Sequence, residues 1–225
     1  SNFPRITYQY YDPKYDELAL EQRQYIKNWI NAYDQLLSSI NFDDPETGYR
    51  NITDVGSFID IMILNEFNKD VDAYRLSNYL YKEKDTDGGR LVSGPPWDYN
   101  LIFGNNDYAG DVKETYNWVY TKTINPYWWK RFMEDPWFRN LLYCRWEALS
   151  ESKLREDHLH AMIDSSVRYL GEAVDRNFQK WPILDTYVWP NSYIGQTYDE
   201  EIGFLKNWIS GRLTWIDAQW GGRCE

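Results

Sequence analysis

In the first third of the chain, apolar residues recur three and four positions apart, which is the spacing of one buried helix face. This pattern predicts a first helix from Asp16 to about Ile40. A second helix is predicted to start at Thr53, which can cap it, and to run to about Asn68. Because the second helix is apolar around much of its circumference, we expect it at the centre of the core.

A β-hairpin is predicted where the helical spacing ends. Residues 78–82 form a strand-like run, residues 85–89 have the composition of a turn, and residues 90–92 return as a short second strand. Residues 104–124 are rich in Gly, Asn, Asp and Tyr and are predicted to form a long loop. Long loops within compact domains are often functional.

The rest of the chain has helical spacing again. Helices are predicted at residues 126–134, at residues 136–150 with Asp135 as cap, at residues 155–180, and from a capping box at Thr197 to about Trp220. The sequence therefore predicts a mainly α fold with a small embedded β-hairpin. We expect a single domain over residues 1–225, with residues 1–15 as an extended entry segment.

Composition and charge limit the classes of function that the chain can have. The net charge of −11 argues against nucleic-acid binding, which relies on cationic patches, and no apolar run is long enough to cross a bilayer. Aromatic residues make up 18% of the chain, which suits a buried core and also suits sugar-binding surfaces. Both uses of the aromatic residues therefore stay open.

The cysteines and histidines do not form a recognisable site in the sequence. Cys144 and Cys224 have neither zinc-site spacing nor the pattern of a disulfide framework, and Cys144 is predicted to be a buried packing residue. His158 and His160 lie two apart on a predicted helix, so they cannot share a helix face and are predicted at the surface. No nucleophile elbow, phosphate loop or dinucleotide glycine motif is present.

Two aspartates flank the predicted hairpin, Asp72 before its first strand and Asp98 after its second. Because hairpin strands run antiparallel, the segments before Asn78 and after Val92 should be neighbours, which would bring the two acids to one Mg²⁺ site. Protein kinases have the same order of a catalytic Asp, an Asn five residues later, and a metal-binding Asp after the next hairpin. Here Ser77 lies five residues after Asp72, and Asn78 follows it. Acids also commonly cap helices and strand ends, and this structural interpretation stays open.

Motifs over most of the chain, from about residue 12 to residue 220, resemble the CotH kinase family. They are Asp54-Val55, Ser57-Phe58-Ile59-Asp60, Leu64-Asn65-Glu66, Asp72-Ala73-Tyr74-Arg75-Leu76-Ser77, Tyr79-Leu80-Tyr81-Lys82, Gly94-Pro95, Trp97-Asp98, Phe103-Gly104-Asn105, Trp128-Trp129-Lys130-Arg131, Asp135-Pro136, Asn177-Phe178, Trp181-Pro182, Leu205-Lys206, Trp208 and Trp215-Ile216-Asp217. The number and order of these motifs make the resemblance specific.

The resemblance implies an atypical protein kinase with a helical lobe like the C-terminal lobe of kinases. Such proteins use ATP with Mg²⁺ or Mn²⁺ to phosphorylate Ser on extracellular or spore-coat proteins. It implies that Asp72 is the catalytic acid and that Asp98 binds the metal and, through it, the nucleotide. Ser77 or Asn78 would complete the metal site. It also implies a secreted, cell-surface or spore-coat location.

The resemblance also implies features that this sequence does not match. Family members often have a second acid two residues after the metal-binding Asp, where this chain has Asn100. They also have an N-terminal β-rich lobe over the nucleotide, which nothing before residue 16 can form. We therefore expect residues 1–225 alone to be inactive as a kinase, even where the whole protein is active.

Two non-catalytic interpretations stay open. Exposed aromatic side chains could line a groove for glycans on a cell or spore surface, or the chain could be a purely structural coat component. The candidates for the groove are Trp118, Tyr120, Tyr127, Trp128, Trp129, Trp189 and Tyr193.

Overall fold

The computed structural model describes residues 6–225 and confirms the mainly α fold with one small hairpin. The predicted entry segment lies partly outside this range; residues 6–15 contain no helix or strand. The elements of the described chain are α1 Leu20–Ser38, α2 Val55–Asn68, β1 Leu80–Lys82, β2 Leu91–Ser93, α3 Trp128–Glu134, α4 Pro136–Ser150, α5 Glu156–Leu170, α6 Ala173–Lys180 and α7 Tyr198–Trp220. Short 3₁₀ turns occupy Tyr49–Asn51, Asp85–Asp87 and Gly110–Lys113.

Helix α2 lies at the centre of the fold, as its nearly continuous apolar sequence predicts. Ten of its fourteen residues are buried, and it packs against β2, α4 and α7. Its cap is Asp54 and not Thr53, because the Asp54 carboxylate accepts from the Ser57 N–H at 3.0 Å. The Thr53 hydroxyl pairs instead with the buried Tyr33 hydroxyl, so the predicted cap is wrong by one residue.

The hairpin is antiparallel, with Tyr81 opposite Val92, and it is attached to the start of α2. The Leu91 N–H donates to the Ile52 carbonyl at 2.9 Å, and the Leu91 carbonyl accepts from the Asp54 N–H at 2.8 Å. A two-stranded hairpin is marginally stable alone. These bonds therefore fix the start of β2, at the turn side of the hairpin, relative to the central helix.

Helix α1 is shorter and less buried than its spacing predicts. Lys14 and Glu17 form a turn, and α1 begins only at Leu20. Tyr33 and Leu37 are fully buried, whereas Leu20 is 68% exposed and Tyr25 46% exposed. The apolar stripe therefore enters the core only in its C-terminal half.

The helix predicted at residues 155–180 is two helices, α5 and α6. Gly171 ends α5 with φ 48°, a left-handed conformation that a residue without Cβ adopts readily. Neither α5 nor α6 contains a fully buried residue, so together they form a peripheral arm. Both predicted caps outside this arm are confirmed, since Asp135 accepts from Trp137 N–H and Thr197 from Glu200 N–H.

The prediction that Cys144 is an unpaired packing residue is wrong, because it forms a disulfide with Cys224. The two Cα atoms are 4.5 Å apart, although 80 residues separate them in sequence. Glu147 accepts from the Cys224 N–H, and Asn140 exchanges two hydrogen bonds with the backbone of Glu225. The C-terminal tail is thus held on α4, and this pairing depends on helix packing that cysteine spacing does not reveal.

Candidate active site

The outer ends of the hairpin bring the two predicted acidic segments together. Outside the strands, the Gly94 N–H donates to the Tyr79 carbonyl at 2.9 Å, which extends the pairing toward the acids. The Ser77 hydroxyl then approaches the Asp98 carboxylate at 3.5 Å, a long hydrogen bond. The prediction that these segments are neighbours is confirmed. The roles assigned to Asp72, Asp98, Ser77 and Asn78 stay predictions.

Asp98 is exposed and has an unusual backbone conformation. Its φ is 66°, in the left-handed region that non-glycine residues seldom occupy. Such backbone strain concentrates at functional sites, where the surrounding structure imposes it. The side-chain amide of Asn100 can be placed with its nitrogen or its oxygen toward Asp98. With the nitrogen toward Asp98, it donates to the Asp98 carboxylate at 3.0 Å. The residue that replaces the family's second acid can therefore support Asp98.

Asp72 lies in a tight turn between α2 and β1. Its carbonyl accepts from the N–H groups of Arg75 and Leu76, and its carboxylate lies 3.7 Å from the Arg75 guanidinium. The Asp72 side chain is 31% exposed. The carboxylate is therefore accessible to a substrate hydroxyl.

A third acid, Asp70, belongs to the same group, although the sequence analysis did not single it out. Asp70 is 2% exposed, and its carboxylate accepts from the Asp72 N–H at 3.1 Å. Burial, with smaller contributions from the charges of Asp72 and Asp98, raises the pKa of Asp70 to about 6. The charges of Asp72 and Asp98 therefore add to the effect of burial on Asp70. In sequence, two acids spaced two residues apart in a turn that ends a helix are the signal that would have identified Asp70.

Lys69 fixes the long loop beside these acids, and it too was missed. It ends α2 in the left-handed conformation and is 1% exposed. Its ammonium group donates to the carbonyls of Asp111 at 2.8 Å and Glu114 at 2.9 Å, and to that of Tyr116. Burial lowers the pKa of Lys69 to about 8. Sequence patterns assign a basic residue at the end of an apolar helix to the surface, so no local signal predicts this role.

An aromatic ledge, formed by Tyr108 and Trp189, borders the acids. The two rings are stacked with centroids 5.7 Å apart, and Trp189 is 67% exposed. Burial and the negative charges of Asp72 and Asp70 raise the pKa of Tyr108. The ledge is thus an exposed aromatic surface on which the charges of the acidic turn act.

The predicted aromatic groove does not form as a whole. Tyr127, Trp128 and Trp129 are buried in the core, because the helical domain packs them between α1 and α2. Three members are half-buried: Trp118, Tyr120 and Tyr193. Trp118 stacks on Trp220, and Tyr193 stacks on Phe204. Only Trp189 of the seven is exposed.

The aromatic residues around Asp98 differ in their burial. Trp97 is 54% exposed and contacts Tyr79 edge-on. Tyr99 and Phe103 are half-buried, and the Tyr99 hydroxyl donates to Asn65. After Gly94 the chain leaves the hairpin through Pro95-Pro96, whose backbone nitrogens carry no hydrogen with which to extend the strand pairing.

The donor set suits a hard cation that also binds phosphate. Within residues 6–225 no group of three or more His, Cys, Asp or Glu is arranged as a metal site. Mg²⁺, however, is usually held by one or two carboxylates together with substrate phosphates and water. Asp98, the Ser77 hydroxyl and the Asn78 amide offer oxygen donors of this kind, so the residues present fit such an ion.

The fold and site define a mainly helical domain that carries an acidic site at the outer end of its hairpin. Residues 2–216 match the family model described as CotH kinase protein, and the chain belongs to that family. No curated protein and no solved structure matches the chain. No helix in the described part of the chain is long and apolar enough to cross a membrane.

Proposed function

We propose that the chain carries the catalytic acids of a CotH-type protein kinase that transfers phosphate from ATP to Ser of extracellular or coat proteins. The observation that carries this proposal is the approach of Ser77 to Asp98 across the hairpin end, with Asp72 five residues before Ser77. The order of these elements is that of the kinase catalytic loop and metal-binding Asp. Membership of the CotH kinase family supports the same assignment.

In this proposal Asp72 orients the acceptor hydroxyl and accepts its proton. The guanidinium of its neighbour Arg75 lies 3.7 Å from this carboxylate. Asp98, with Ser77 or Asn78, would hold Mg²⁺ against the phosphates, and the ion would supply neutralisation of the charge that develops during transfer. Phosphoryl transfer depends mainly on positioning and electrostatic stabilisation, and the hydrogen-bonded turn at Asp72 would provide that positioning.

The disulfide supports a location outside the reducing cytosol. Disulfides persist in secreted and surface proteins and are rare where thiols are kept reduced. The bond between Cys144 and Cys224 therefore agrees with the secreted, surface or spore-coat location that family membership suggests. The protein acceptor would be encountered in the same oxidising compartment.

Replacing Asp98 with asparagine is expected to weaken binding of Mg²⁺·ATP or Mn²⁺·ATP about 100-fold, because one carboxylate ligand and its charge are lost. Calorimetric titration of the purified chain measures this. Asp157→Asn is the matched control, since Asp157 is an exposed acid at the start of α5 and should leave binding unchanged. Equal affinity in wild type and Asp98→Asn, or no heat with either, would contradict a nucleotide site at Asp98.

A second candidate function is glycan binding at the aromatic ledge, and the exposed ring of Trp189 favours it. Sugar rings stack on such faces, and the neighbouring Asp107 carboxylate and Tyr187 hydroxyl could bind sugar hydroxyls. Trp189→Ala is expected to abolish glycan binding on an oligosaccharide array, whereas Asp98→Asn should not affect it. An array without binders for the wild-type chain would exclude this function.

A further inference from the structure

We infer that Asp70 is a positioning residue of the proposed metal site, because its carboxylate begins a chain of hydrogen bonds that ends at Asp98. The inference rests on the proposed function, in which Asp98 binds the metal. Asp70 itself is buried behind the turn and is not assigned as a ligand. Its contribution is to hold the turn in the shape that presents Ser77 to Asp98.

The hydrogen bonds follow the turn, and the peptide bond between Leu76 and Ser77 completes the connection. The Asp70 carboxylate accepts from the Asp72 N–H at 3.1 Å. The Asp72 carbonyl in turn accepts from the N–H groups of Arg75 at 3.2 Å and Leu76 at 3.1 Å. The next residue, Ser77, donates to the Asp98 carboxylate at 3.5 Å. Each bond fixes the backbone of the following segment, so a displacement at Asp70 would be transmitted to Ser77.

The start of this chain is itself anchored on the C-terminal end of α2. The Asp70 N–H donates to the Asn68 side-chain oxygen at 2.9 Å, and the preceding Lys69 is clamped to three carbonyls of the long loop. The Asn68 carbonyl also accepts from the Phe103 N–H at 2.8 Å, which ties down the segment that follows Asp98. The segments that carry Ser77 and Asp98 are therefore both anchored on the C-terminal end of α2.

A buried carboxylate is costly, since burial opposes its ionisation. In the positioning role the oxygen acceptor matters and the charge does not. Asparagine keeps an oxygen at the same place and can accept from the Asp72 N–H, whereas alanine cannot. The comparison of these two substitutions therefore separates positioning from direct attraction of the metal.

The experiment is calorimetric titration of the whole chain with Mn²⁺·ATP, using wild type, Asp70→Ala, Asp70→Asn and Asp98→Asn. Asp70→Ala is expected to bind about tenfold more weakly, since the acceptor of the Asp72 N–H is lost. Asp70→Asn is expected to remain within about threefold of wild type, because the acceptor is retained. Thermal melting of each variant verifies that it is folded.

Should Asp70→Ala fail to fold, Asn68→Ala provides a second test. Asn68→Ala removes the acceptor of the Asp70 N–H and leaves the Asp70 carboxylate in place. It should therefore weaken binding of Mn²⁺·ATP, whereas Asp70→Asn should not. Wild-type affinity in Asp70→Ala beside lost binding in Asp98→Asn would overturn this inference alone. Equal weakening in Asp70→Asn and Asp70→Ala would also overturn it, in favour of direct charge attraction. Unchanged binding in Asp98→Asn would overturn the proposed function and this inference with it.

Discussion

Replacing Arg212 with methionine is expected to lower the free energy of unfolding by about 3–5 kcal/mol, the range for breaking a buried ion pair. The Arg212 and Glu66 side chains are both fully buried, with 3.3 Å between a guanidinium nitrogen and a carboxylate oxygen. Arg212 also donates to the carbonyls of Thr115 and Asn117 at 2.9 Å each. Methionine fills a similar volume but leaves the two carbonyls without this donor and the carboxylate without its cationic partner.

Glu66 explains why the loss should be large. Its carboxylate accepts from the N–H groups of Val119 and Tyr120 and from the Tyr74 hydroxyl, so it joins α2 to the long loop. Burial raises the pKa of Glu66, and the positive charge of Arg212 opposes that rise. Without Arg212 the carboxylate stays buried with its negative charge uncompensated. The long loop, which Lys69 also holds, should then loosen beside the acidic turn.

Urea denaturation of wild type and Arg212→Met measures this loss. Arg145→Met is the matched control, because Arg145 forms an exposed ion pair with Asp60 and exposed pairs contribute about 0–1 kcal/mol. A double variant, Glu66→Gln with Arg212→Met, should be less destabilised than the sum of the single changes, since it leaves no unpaired charge. An Arg212→Met loss no larger than that of Arg145→Met would refute the structural importance of this pair.

The central elements of the fold could be predicted because their sequence signals are local. The apolar run of α2, the strand–turn–strand pattern of the hairpin, and the Asp135 and Thr197 caps each depend on neighbouring residues only. The predicted helices are wrong where tertiary contacts determine their ends or their burial. Gly171 could have continued a helix, and the outer stripe of α1 has helical spacing without a partner that covers it.

The candidate site was predictable only in outline. Antiparallel pairing implies that the segments at Asp72 and Asp98 meet, and they do. The supporting residues were missed, because Asp70 and Lys69 are charged side chains that tertiary structure buries, Lys69 against the carbonyls of the long loop. Sequence patterns assign such residues to the surface. The structure instead uses them to hold the turn and the loop in place.

The disulfide that holds the C-terminal tail was also missed in the sequence, because it depends on tertiary packing. Its removal is the second change with a large expected effect on stability. Replacing both Cys144 and Cys224 with serine is expected to lower the free energy of unfolding by about 4 kcal/mol. The disulfide closes a segment of 80 residues, and in the chain-entropy account a link across so long a segment strongly restricts the unfolded chain. The melting temperature should fall by roughly 10 °C for a chain of this size.

The covalent link can be separated from the non-covalent tail contacts by a matched variant. Asn140→Ala removes the two hydrogen bonds to Glu225 and keeps the disulfide, and it should cost about 1 kcal/mol. Calorimetric melting with and without reductant completes the comparison: reduced wild type should match the double serine variant, and reductant should not affect that variant. Losses below about 1 kcal/mol in both would show that helix packing alone stabilises the domain. The full loss would mean that the chain reaches its stability only where the bond between Cys144 and Cys224 can form, which is the condition found outside the cytosol.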